Sequence, residues 1–188
     1  MAKVSIPPFR PVHPSPAALI TCADADGKPN IITLAEVFNI SLRNPVIVAV
    51  AVRPATYSHG LISATREYTI NLPPTSLTWA MDRCGTTSGR DGLDKFSAYG
   101  LTPLPAKQVK APLIAECPLN IECRVTDIQR IGDHDLFVAE ACEVHVDEDK
   151  LNPDGSLNAE KLDLIMYVAH EYWSIGRYLG RHGYTKRK

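Results

Sequence analysis

Leu119-Asn-Ile-Glu-Cys-Arg-Val125 alternates apolar and polar residues over seven positions, the period of a strand with one face buried and one in water. Gly132-Asp133-His134-Asp135 follows with the chemistry of a tight turn, and Leu136 to Val146 returns as a second long strand of the same antiparallel hairpin. Upstream, Val46-Ile-Val-Ala-Val-Ala-Val52 is a continuous, mostly β-branched run, which reads as a strand buried on both faces. Ala17 to Cys22 is a short apolar strand that turns at Asp24-Ala-Asp-Gly-Lys28 into a strand-forming segment from Asn30 to Ser41. Tyr68 to Leu72 is strand-like until Pro73-Pro74.

Helical signals between these strands are short. Thr56 offers an N-cap to Tyr57–Ala64, and Ser76 offers one to a stretch through Trp79 and Arg83. Asp91 to Tyr99 reads as a helix closed by Gly100, and Leu162, Ile165 and Val168 give Asn158–Val168 a helical spacing after the turn Asn152-Pro-Asp-Gly155. Trp173 to Tyr184 carries aromatics and glycines with no clear period. Six or seven strands with three or four small helices, and no strand–long-helix–strand unit, predict a mainly β, closed antiparallel barrel with helices attached. The fifteen prolines agree with this, since Pro29, Pro45, Pro54, Pro73 and Pro112 fall at strand ends, where barrel corners belong.

The 188 residues suit a single domain, with a core from about residue 10 to 148 and a C-terminal appendage over 149–188. Lys and Arg number 20 against 21 Asp and Glu, so the net charge of −1 supplies no field to hold nucleic acid or an anionic membrane. The apolar run Val46–Val52 falls far short of the roughly 18 residues of a spanning helix, and the early prolines interrupt any secretory signal, so the expected location is the cytoplasm. Lys186-Arg-Lys188 reads as a solvated tail.

Five cysteines without a C-x-x-C exclude a disulfide framework and a zinc ribbon. Cys123 is expected in the core, whereas Cys84 lies beside Gly85 in what reads as a hydroxyl-rich loop. The six histidines contain no i, i+4 pair, so no metal site is expected. Phosphate-loop, nucleophile-elbow and metalloprotease motifs are absent, and Gly176, Gly180 and Gly183 do not form a dinucleotide fingerprint.

Two segments after strands carry candidate ligand groups. Arg53-Pro-Ala-Thr-Tyr-Ser-His59 opens a helix, whose unpaired N–H groups with Arg53, Thr56 and Ser58 suit a phosphate. Cys84-Gly-Thr-Thr-Ser-Gly-Arg-Asp91 combines glycines that permit close backbone approach with the hydroxyls of Thr86, Thr87 and Ser88. Singly each is an ordinary capped turn; together they point to a phosphorylated ligand.

With Asp26-Gly-Lys-Pro-Asn30, Ser41-Leu-Arg-Asn-Pro45, Asn71-Leu-Pro73 and Asp94-Lys-Phe96, these segments follow one another in the order seen in the flavoredoxin-like flavin reductases. The chain resembles that family from about residue 10 to 148. The resemblance implies an FMN-binding split barrel of Greek-key type, a homodimer whose interface helps form the flavin site, and NAD(P)H as electron donor, with electrons passed to flavin or onward to an acceptor, including a protein. Thr33, Leu34, Ala35 and Glu36 would lie against the flavin ring. Arg53, Thr56, Ser58 and His59 would serve the phosphate or ribityl chain, and Cys84, Gly85, Thr86, Thr87, Ser88 and Lys95 would close the site. Glu36 departs from what the ring asks for, since a carboxylate there opposes the charge of a reduced flavin. Hydride transfer between two stacked rings needs positioning and N–H donors, so no catalytic acid, base or nucleophile is expected. Tyr167, Tyr172, Trp173, Tyr178 and Tyr184 read as packing residues, or in a dimer as cover for the partner's flavin edge.

Overall fold

The computed structural model describes residues 1–9 and 11–186; Arg10, where the expected core begins, and Arg187 and Lys188 of the expected tail lie outside the described residues. In chain order the strands are β1 (Ser15–Pro16), β2 (Ala18–Ala23), β3 (Pro29–Leu34), β4 (Val37–Leu42), β5 (Val46–Val52), β6 (Glu67–Leu72), β7 (Pro103–Leu104), β8 (Leu113–Ile114), β9 (Leu119–Ile131), β10 (His134–Val146), β11 (Ile165–Val168) and β12 (Glu171–Ser174). The helices are α1 (Tyr57–Thr65), α2 (Thr78–Thr86), α3 (Lys95–Tyr99) and α4 (Ala159–Leu162).

Seven strands form one antiparallel sheet in the order β3-β2-β6-β9-β10-β5-β4, a Greek-key arrangement in which β6 returns to pair with β2 after three intervening strands. The mainly β barrel with a few short helices is therefore present. Its ladder is open at one seam, between β3 and β4, and the chain crosses that seam through Ala35 and Glu36. The β9–β10 hairpin expected from the alternating run forms its long spine, from His134↔Ile131 to Val146↔Leu119, with two bulges.

Side-chain alternation splits the core into two layers. Ala18, Ile20 and Cys22 of β2 point inward with Val48, Val50 and Val52, Tyr68, Cys123 and Phe137. Leu19 and Ile31 face the other way and are covered by Met81, Cys84, Phe96 and Tyr99 of the helices and by Ile165 of β11. The six residues of β2 are all buried, while Val46 at the start of β5, expected to be buried on both faces, is 41% exposed. Asn71 pins the long connection before β9: its amide donates to the Leu19 carbonyl at 3.0 Å, and its Oδ1 accepts from Ile114 N–H and Asn120.

Four local expectations are corrected. Asn30–Ser41 is not one strand, because the chain leaves the ladder at Ala35-Glu36. Ser76 does not cap α2; a 3₁₀ turn over Thr75–Leu77 leads in, and the Thr78 hydroxyl donates to the Thr75 carbonyl. The helix expected from Asp91 begins only at Lys95, where Asp94 accepts from the N–H groups of Phe96 and Ser97; Gly100 ends it with φ of +68°. Asn158–Val168 holds a single helical turn that stops at Asp163, and Ile165–Val168 is strand β11, which pairs with β1 and β12.

Candidate functional site

Two neighbouring cavities, one at the break at Ala35-Glu36 and one at the start of α1, share Gly85 as a lining residue and are together called the groove. The first, about 310 Å³, has Thr33, Leu34, Ala35 and Glu36 on one wall and Asp82, Gly85 and Thr86 of α2 on another. Tyr167, His170 and Tyr172 of the β11–β12 hairpin form its third wall. The second, about 400 Å³, lies between Thr56, Tyr57 and Ser58 at the start of α1 and the loop Thr87-Ser-Gly-Arg90, with Asn30 and Lys95 at its back.

The α1 end is built by capping. Thr56 Oγ1 accepts from the His59 N–H and donates to the Arg53 carbonyl, and helical geometry leaves the Tyr57 and Ser58 amides without an intrahelical acceptor. Asn30 of β3 donates to Ser58 Oγ at 2.7 Å and holds that first turn against the sheet. Its Oδ1 is buried without a hydrogen-bond partner and faces Gly89. Arg90 reaches back from the loop to donate to the Ala55 carbonyl at 3.1 Å, and Ser88 Oγ accepts from the Arg90 N–H.

Lys95 is buried, and its ammonium donates to the carbonyls of Ile31 (2.7 Å), Cys84 (2.7 Å) and Thr87 (2.8 Å). An ammonium has three protons, so all of them are engaged in tying β3, the end of α2 and the loop together. Burial lowers its pKa, and the clamp offers a ligand positive charge without a free donor.

Of the fourteen residues expected at the site, eleven line the groove. Thr33, Leu34, Ala35, Glu36 and Thr86 face the first cavity, Thr56, Ser58, Thr87, Ser88 and Lys95 the second, and Gly85 both. Arg53 turns outward, with Nε 3.9 Å from Asp133. His59 bonds Asp135 through Nε2 at 2.8 Å and packs edge-on against Phe137, away from the groove. Cys84 is not in a loop: it is a fully buried residue of α2, and burial pushes its thiol up to about 11. The hydroxyl cluster misleads here because Thr86 and Thr87 donate back to the carbonyls of Asp82 and Arg83, finishing the helix. Asp82, Tyr57, Arg90 and the wall formed by His170 are further lining residues; Gly89 and Arg90 stand within the quoted loop, but no local signal marks Asp82 or His170.

The antiparallel Greek-key sheet with its few short helices is that of a split-barrel protein, and the sequence supplies the class. Residues 10–175 match the family described as the flavin reductase like domain, and the chain belongs to that family. It is similar to flavoredoxin of Desulfovibrio vulgaris (Miyazaki F), with 32% identity and a TM-score of 0.89 over 98% of this chain and 99% of that one. Flavoredoxin from Methanosarcina acetivorans matches at 27% identity and a TM-score of 0.86, covering 98% and 97%. An NADH:riboflavin 5'-phosphate oxidoreductase of Streptomyces pristinaespiralis is 27% identical over 130 residues, 69% of this chain and 70% of that protein. No helix among the described residues is long and apolar enough to cross a membrane.

Proposed function

We propose that the protein is one domain that binds FMN without a covalent bond and passes electrons from NAD(P)H through it to an acceptor. The observation that carries this reading is the two-part groove. Its second cavity pairs the α1 N-terminus with Ser58, Ser88 and Arg90, a donor set suited to a phosphate, and its first, about 310 Å³ and lined by Tyr167 and Tyr172, offers room and aromatic neighbours for a ring. Gly85 lines both, and a Cβ there would stand 3.1 Å from Thr33 Cβ, so a larger residue would press on the Thr33 side of the first cavity.

A bound flavin would supply the two-electron chemistry by taking and releasing hydride at N5. The chain's own residues position and exclude. The first turn of α1 and Arg90 fix the anionic end, the Lys95 clamp holds the loop and β3 at constant spacing, and Tyr167 and Tyr172 exclude water from one face of the first cavity. No side chain is assigned a proton-transfer role.

A homodimer belongs to the same proposal. Phe38, Ile40 and Leu42 of edge strand β4 are 43%, 57% and 76% exposed, and the N-terminal arm presents Val4, Ile6, Phe9 and Val12 to solvent. Apolar strand edges of this kind are normally covered, and a second copy would cover them.

Adding FMN should quench flavin fluorescence stoichiometrically, and NAD(P)H should then be oxidised with excess free flavin; protein that leaves flavin fluorescence unchanged sinks the proposal. A second reading, an electron carrier that holds FMN but does not itself turn over NAD(P)H, is favoured by the similarity to flavoredoxin along nearly the whole chain. Flavin reduced only by a partner protein selects that reading.

A further inference from the structure

Ser88 to Asp91 forms one wall of the second cavity. The chain is fixed on either side of this wall. Before it, the Thr87 carbonyl accepts from Lys95 at 2.8 Å and the Thr87 hydroxyl accepts from Tyr99 at 2.9 Å. After it, Asp94 caps α3 through the N–H groups of Phe96 and Ser97. Between these anchors every residue of Ser88–Leu93 is exposed except Gly89. Two hydrogen bonds stay inside the segment, from Arg90 N–H to Ser88 Oγ and from Gly92 N–H to the Gly89 carbonyl. Among the described residues, one bond ties it to the rest of the chain: Arg90 donates to the Ala55 carbonyl at 3.1 Å, directly ahead of the Thr56 cap of α1.

Gly89 seals the segment against the sheet at a cost. It covers Asn30 Oδ1, and that oxygen is buried without a hydrogen-bond partner. An acceptor shut away from water with no donor disfavours the arrangement that shuts it away, and lifting Gly89 would let water reach it. One guanidinium bond and the approach of Gly89 to Tyr57 are thus set against one orphaned acceptor. A segment with a single buried residue and a single outward bond opens at low free energy, and Gly92, with φ of +85°, supplies a bend near its far end.

Resting on the reading above, in which the second cavity holds the phosphate of a flavin, we infer that Ser88–Leu93 is a gate over that phosphate and that Arg90 is its latch. Arg90 is a positioning residue in this role, acting through the Ala55 carbonyl. Ser88 Oγ accepts from the Arg90 N–H, so its own proton is left to donate, and the guanidinium has donors beyond the one that Ala55 takes. A phosphate seated at the first turn of α1 meets these donors only when the segment is closed. Its binding therefore shifts the balance toward closure. The rate at which the ligand leaves is then governed by the latch as well as by the ligand's own contacts.

Two measurements on the whole chain test the gate. One is hydrogen exchange at the Ser88–Leu93 amides with and without FMN, and the other is FMN association and dissociation followed by stopped-flow fluorescence at high salt, where steering of the anion is screened. FMN should slow exchange across Ser88–Leu93 at least about tenfold. Arg90→Ala should speed exchange of the free protein about threefold, raise the association rate about threefold and raise the dissociation rate about tenfold. Arg90→Lys keeps a donor for the carbonyl and should return all three toward wild type. A residue that supplied only charge would not speed association when removed, so association that is unchanged or slower in Arg90→Ala overturns the inference and leaves Arg90 as a ligand group. Exchange that bound FMN leaves unaltered overturns it as well. Wild-type protein that takes up no FMN fails the underlying reading first, and the gate's role with it.

Discussion

Gly89 lies against Asn30 so closely that a Cβ would stand 2.2 Å from Asn30 Oδ1 and 3.5 Å from the Tyr57 ring. Asn30 cannot simply swing aside, because its amide holds Ser58 in the first turn of α1. The glycine is required by space alone; its φ is not in the left-handed region. Gly89→Ala should displace the loop Thr87–Arg90 from α1 and weaken FMN binding at least about tenfold, while the barrel stays folded. Fluorescence titration with FMN, alongside thermal unfolding, measures both.

Lys95 spends its three protons on three carbonyls from three different segments. Lys95→Met keeps the stem and removes the ammonium, leaving Ile31, Cys84 and Thr87 carbonyls without that donor. A loss of about 2–4 kcal/mol is expected from urea unfolding. Unchanged stability with weaker FMN binding would instead make the lysine a ligand group.

Glu122 predicts the acid limb of the stability curve. It is fully buried, and its carboxylate accepts from the N–H groups of Lys107 (2.9 Å), Gln108 (2.6 Å) and Val109 (3.1 Å) and bonds His145 Nε2 at 2.6 Å. Burial alone would raise its pKa, but the three amides and His145 together outweigh it and hold the pKa below its ordinary 4.5. The folded protein therefore binds this proton less readily than the unfolded chain. Its stabilising contribution is present above about pH 4.5 and is lost as pH falls through the lower folded value. Thermal melting against pH should show a steeper decline for wild type below that point than for Glu122→Gln, which starts less stable.

Arg90 and His59 separate the groove from its surroundings. Arg90→Ala should weaken FMN binding about fivefold, with a larger effect at low salt, because it removes a cation from the second cavity. His59→Ala should leave FMN affinity within about twofold, since its ring is engaged with Asp135 outside the groove. It should nevertheless cost about 1–3 kcal/mol, because the half-buried Asp135 loses its partner. A large loss of FMN affinity in His59→Ala would place that histidine in the site after all.

Where local chemistry decides a conformation, the sequence is readable. The β9–β10 hairpin follows from the alternation of Leu119–Val125 and the turn residues Gly132-Asp133, and the Thr56 cap and the Gly100 stop follow from side-chain and backbone preferences within one turn. Leu162, Ile165 and Val168 mislead for a definite reason: three apolar residues at that spacing serve one short helical turn followed by a strand, and β1 and β12 supply the ladder that makes the strand preferable. Cys84 misleads similarly, because threonines that look like ligand groups satisfy carbonyls of their own helix.

By itself the sequence determined the mainly β class and picked out the two segments whose residues line the second cavity, properties carried by residues close together in the chain. Only the tertiary structure decided that Lys95 acts as a clamp, that His59 faces Asp135, and that Asp82 meets Tyr172 from 90 residues away. Hydrogen bonds and charge act over a few ångströms, and which distant residues come within that range is set by the Greek-key path and by the seam at Ala35-Glu36.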